Sequence, residues 1–156
     1  MRPAYVVTYH VSQTFSAPRD YVYSWCTDFR EDDPKMLGSK MRRRFIERTP
    51  GRVTWWVDDG GKVERKPQPI RVVWLRPPDA WHLETCGDGL EIGDYEVKAL
   101  GPKKARLNME FAMTLDSRKR AEAVKASRAM QANAGSHWER YARFLERDYK
   151  ASLERG

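Results

Sequence analysis

Tyr5, Val7, Tyr9, Val11 and Phe15 alternate with Val6, Thr8, His10 and Ser12. A period of two predicts a half-buried β-strand with its odd positions turned inward. Ser16-Ala17-Pro18 ends the strand and predicts a helix start, a small polar residue followed by proline near the first turn. Val22, Trp25, Cys26 and Phe29 follow at i, i+3, i+4, i+7, so a short helix turns one face inward. Asp33 to Gly38 predicts a second, very short helix, capped by the aspartate and stopped by the glycine.

A long β region comes next. Arg42 to Arg48 is a candidate strand, with Arg42 and Arg44 outward and Arg43 on the opposite face. Pro50-Gly51 suits a type II turn. Val53, Trp55 and Val57 then alternate with Thr54, Trp56 and Asp58, and Asp58-Asp59-Gly60-Gly61 signals a hairpin. Lys62 to Leu75 predicts a strand interrupted at Pro67 and Pro69. Trp81, Leu83 and Thr85 alternate with His82 and Glu84. Leu90 and Ile92 have one parity, and Tyr95, Val97 and Ala99 the other, which predicts a bulge at Gly93. Ala105, Leu107, Met109, Phe111, Met113 and Leu115 form the cleanest strand in the chain.

After Asp116 the period changes from 2 to 3.6. Met130, Ala134, Trp138, Tyr141 and Leu145 share one helical face, and Arg118, Lys125, Arg143, Arg147 and Lys150 the other. Gly135 predicts a kink, or a boundary between a looser segment (117–134) and the main helix. The predicted class is α+β: a curved antiparallel sheet of about seven strands around a long C-terminal helix, with two short helices after the first strand. An apolar sheet face needs a cover, and only the long helix can supply it.

At 156 residues the chain fits one domain, 1–156. Six Trp, seven Tyr and five Phe argue against disorder. Residues 117–156 hold ten Lys/Arg against five Asp/Glu, most of the formal +7. Glu139, Glu146 and Asp148 interleave with those cations, so the pattern describes a salt-bridged solvated face rather than a nucleic-acid surface. Cys26 and Cys86 read as free thiols of a reducing cytosol. Met1-Arg2-Pro3-Ala4-Tyr5 runs into a strand pattern without an apolar h-region, so a signal peptide is not expected, and no apolar run reaches membrane length. A cytoplasmic protein is expected. Self-association as a homodimer is left open.

The order of elements, with Ser16-Ala17-Pro18 before the first helix and Asp28-Phe29 near its end, resembles the START-like (SRPBCC) superfamily. The stretch from Gly89 to Leu115, with Tyr95 and the Gly101-Pro102 turn, is also similar to it. That group includes polyketide cyclase/dehydratase proteins, lipid-transport domains and the birch pollen allergen. The resemblance implies a helix-grip fold with an apolar cavity between sheet and helix.

Trp55, Trp74, Trp81, Met109, Phe111, Met113, Trp138 and Tyr141 are large inward candidates, with Leu83, Val97 and Ala134 completing the wall. Such residues suit a filled core as well as a pocket for an apolar or planar ligand, and the resemblance favours the pocket. Tyr95, Thr85 and His137 are candidate polar handles. Asp94 reads by default as an exposed residue near the turn; it points inward only if a bulge follows it, and beside Tyr95 or His137 it would then serve proton transfer. No paired metal-ligand spacing, P-loop, Gly-x-Ser-x-Gly or dinucleotide-binding pattern occurs, so neither a metal nor a cofactor is expected. The expected function is binding or carriage of a small hydrophobic or aromatic molecule. The alternatives are a polyketide cyclase/dehydratase-like enzyme and a partner-binding module.

Overall fold

The alternating segments pair into one sheet. The computed structural model describes residues 4–31, 42–58, 69–87, 90–116 and 120–155. Its elements are β1 (Ala4–Phe15), α1 (Arg19–Cys26), β2 (Arg42–Thr49), β3 (Arg52–Asp58), β4 (Ile70–Arg76), β5 (Ala80–Cys86), β6 (Leu90–Gly101), β7 (Lys104–Asp116) and α2 (Arg120–Arg155). The seven strands are antiparallel in the order β1-β7-β6-β5-β4-β3-β2, so β2 to β7 form a meander and β1 returns beside β7. The second short helix expected at Asp33–Gly38, and the strand residues expected at 62–68, lie outside the described residues.

One face of the sheet carries the core. Val53, Trp55, Val73, Trp81, Leu83, Val97, Leu107 and Met109 are buried on it, and Ala142 and Leu145 of α2 join the same cluster. Among the described residues no polar or charged residue is fully buried, which accords with the cost of desolvating a charge. The opposite helix face keeps Lys125, Arg143, Arg147 and Lys150 exposed, as the periodicity predicts.

Two expectations are corrected. Gly93 marks no bulge: β6 pairs without a register shift with β5 from Leu90 to Glu96 and with β7 from Glu91 to Ala99. The shift in β6 comes later, between Ala99 and Gly101, and another lies between Arg44 and Glu47 of β2. Gly135 marks no boundary either. The helix runs on for 36 residues, about 54 Å at 1.5 Å per residue, and a Cβ at Gly135 would meet nothing.

α1 is tied to both layers. Its first turn closes through Val22 N–H to Pro18 C=O at 3.0 Å, and its last turn is capped by Thr27 Oγ1, which donates to Tyr23 C=O at 2.7 Å. Ser16 N–H donates to Glu146 Oε1 (2.9 Å) and Trp25 Nε1 to Asp148 Oδ2 (3.0 Å), which fixes α1 to α2. Tyr23 Oη donates to Ala80 C=O at 3.1 Å and so reaches the sheet.

Candidate functional site

Register decides which side chains face the helix. One row across the sheet runs Trp55, Arg71, Thr85, Glu91, Met113. The next runs Val53, Val73, Leu83, Gly93, Phe111, and a third Leu75, Trp81, Tyr95, Met109. Three rows of apolar and aromatic groups thus share a face with one arginine, one threonine and one glutamate.

These rows and two helical elements enclose a cavity of about 160 Å3, partly open to solvent. Trp55, Arg71, Trp81, Leu83 and Tyr95 line it from β3 to β6, Trp138 and Tyr141 from α2, Trp25 and Cys26 from α1, Phe29 from the following loop, and Arg43 from β2. The rings form a connected set. Trp81 stacks on Tyr95 (4.6 Å, 13°), Tyr95 meets Trp138 at 6.4 Å, Trp138 meets Tyr141 at 5.3 Å, and Tyr141 meets Trp25 edge-on at 6.1 Å. Such offset and edge contacts hold aromatic walls in fixed geometry.

Phe29 is placed by arginines rather than by helix. Its φ of 44° is in the left-handed region, costly for a bulky residue. Arg48 Nη2 donates to the carbonyls of Asp28 and Phe29, both at 2.6 Å, and Arg43 Nη1 to Arg30 C=O at 2.8 Å. This clamp sets the Phe29 ring 5.1 Å from Trp55, with the Arg43 guanidinium over both rings at 5.4 and 5.1 Å, a cation–π arrangement.

Arg71 Nε donates to Thr85 Oγ1 at 2.8 Å, and its Nη2 lies 3.9 Å from Glu91 Oε2. Tyr95 borders the cavity with protein around it. Burial raises its phenol above the ordinary 10.0, and the Arg71 guanidinium opposes the rise. At neutral pH its hydroxyl is therefore protonated and able to donate.

Of the candidate ligand residues, Trp55, Trp81, Leu83, Tyr95, Trp138 and Tyr141 meet in the cavity wall. Val97, Met109 and Phe111 are buried in the core and Ala134 packs against it, and none of the four lines the cavity. Met113 is half-buried in the row of Glu91. Trp74 is a correction: it pairs with His82, and its ring meets that imidazole at 5.6 Å on the outward face. His137 is a second, exposed on α2 beside the inward Trp138. Asp94 takes the exposed position that its place near the turn favours, with its Oδ1 2.7 Å from His82 Nδ1 on the outer face. Sequence reasoning passed over Trp25, Cys26, Phe29, Arg43 and Arg71 as ligand contacts. The helical spacing of the first three and the inward parity of Arg43 were the available signals.

No family model and no curated protein matches the sequence. Solved structures do match. The Zhui aromatase/cyclase of Streptomyces sp. R1128 aligns with a TM-score of 0.67 at 13% identity, over 96% of each chain. The fold is the START-like helix-grip fold. Norcoclaurine synthase of Thalictrum flavum shares the helix-grip arrangement at a TM-score of 0.63 and 11% identity, over 97% of this chain and 88% of the other. A START superfamily protein of Mycobacterium smegmatis gives 0.57 and 17%, over 94% and 97%. Proteins of this fold thus include an aromatase/cyclase and a synthase, and the expected architecture holds. Among the described residues no helix is long and apolar enough to cross a membrane, and no His/Cys/Asp/Glu group fits a metal ion.

Proposed function

We propose that this protein binds a small hydrophobic or aromatic molecule in the cavity between its sheet and α2. The observation that carries this reading is the cavity wall, in which Trp25, Phe29, Trp55, Trp81, Tyr95, Trp138 and Tyr141 surround about 160 Å3 of space. An apolar cavity of about 150 Å3 holds a benzene ring, so this space accepts one aromatic ring, and its open side lets a second protrude. Ring burial supplies affinity, and Tyr95 and Arg71 supply orientation. Titration with N-phenyl-1-naphthylamine, followed by its fluorescence, tests the reading. Saturable one-to-one binding is expected. Absence of binding to this probe and to single-ring aromatics would sink it.

Tyr95 favours a second reading, an enzyme of the aromatase/cyclase kind. With Asp94 and His137 outside the cavity, the protonated Tyr95 phenol bordering the ligand space is a donor able to polarise a carbonyl there. Turnover of an aromatic poly-oxo compound that Tyr95→Phe abolishes, with binding retained, would establish it.

A further inference from the structure

We infer that the cavity selects an anionic aromatic molecule, an aryl carboxylate or its equivalent, whose acid group pairs with Arg71. The inference rests on the binding reading above.

The described lining residues include two arginines and no carboxylate. Arg71 sits in the middle of the sheet with its side chain 23% exposed. A guanidinium has five N–H donors. Among the described residues Arg71 uses one, Nε to Thr85, and its contact with Glu91 at 3.9 Å is too long for a hydrogen bond. Arg71 is one of the residues that line the cavity. Desolvating a cation is costly unless it is paired. A planar acid entering the cavity completes that pairing through two parallel N–H···O bonds.

Glu91 offsets part of the Arg71 charge without filling its hydrogen-bond donors. Arg43 is held against Phe29 and Trp55, so its charge stays at the wall. The aromatic walls then take the ring, and the cavity volume limits its size.

The test compares 2-naphthoate with 2-naphthamide by calorimetry at pH 7. The two share a ring system and nearly a shape, but only the first is charged. We expect naphthoate to bind the protein at least tenfold more tightly, and Arg71→Gln to bring the two affinities within about twofold, chiefly through loss of naphthoate affinity. Should Arg71→Gln fail to fold, Arg71→Met, which keeps the apolar stem, takes its place. Equal affinities in the unaltered protein, or a preference that survives loss of Arg71, would overturn the inference and leave the binding reading standing. Binding of neither compound would remove the binding reading and this inference together.

Discussion

The Tyr95 ring stacks on Trp81 across the β5–β6 pair, with centroids 4.6 Å and planes 13° apart. It also meets Phe111 edge-on at 5.5 Å. Both contacts depend on a missing side chain at Gly93, where a Cβ would stand 2.9 Å from Tyr95 Cε2 and 3.2 Å from Phe111 Cε1. Tyr95 is backed by Trp81, and Phe111 by Tyr9. Gly93→Ala is expected to cost about 1–3 kcal/mol through overpacking, seen as a lower urea midpoint with an unchanged m-value. A neutral result would show that the two rings can shift.

Leu145 is wholly buried and belongs to the cluster that joins α2 to Phe15, Val22 and the sheet. Leu145→Ala is expected to destabilise by about 2–5 kcal/mol, the transfer loss plus the void left behind. Thermal unfolding should then start at lower temperature by all probes together. An early loss of helix signal alone would mean that α2 unfolds separately from the sheet.

Alkaline pH should weaken the fold. Burial is the main cause that raises Tyr95, and likewise Tyr9, Tyr21 and Tyr23, above 10.0. In the unfolded chain these phenols lose their protons near 10.0, so above that value the unfolded state binds fewer protons than the folded one. Stability is therefore fully present below pH 10.0 and falls as pH rises beyond it. Denaturation midpoints from about pH 8 to about pH 11 should show this. Tyr95→Phe should make the fall shallower, and an unchanged slope would contradict the assignment.

The two faces of the sheet should separate in binding. Trp138→Ala removes a wall of the cavity and is expected to weaken N-phenyl-1-naphthylamine binding by at least tenfold. Trp74→Ala, on the outward face over His82, should change it less than twofold. Equal losses would mean that the probe binds elsewhere.

Wherever one face of a strand is apolar and the other polar, period alone gives the right orientation, as in β1, β3, β5 and β7. It fails where the contrast is lost. Val72, Val73, Trp74 and Leu75 are apolar on both faces, so nothing local turns Trp74 outward. Only its pairing with His82 does so. In β6 the inward position 91 is a glutamate, and the outward Leu90 and Ile92 mimic a core stripe. Glycine at 93 has no side chain to break the tie, and a false bulge results. Helical spacing predicts an inward Phe29, but the hydrogen bonds from Arg43 and Arg48 that set its loop against Trp55 span more than a dozen residues and leave no local pattern. Arg71 was hidden by its own type, since a cation among Val, Trp and Leu suggests a surface position until register puts it beside Thr85.

The place of β1 at the far edge, against the last strand, has a consequence for synthesis. Ser12 Oγ donates to Asn108 Oδ1 at 2.8 Å across a separation of 96 residues. At ribosomal speeds the first strand therefore leaves the tunnel on the order of ten seconds before its partner exists. Its exposed edge and apolar stripe must be shielded for that interval, by a chaperone or by transient non-native contacts, and closure is the slow, long-range event of folding.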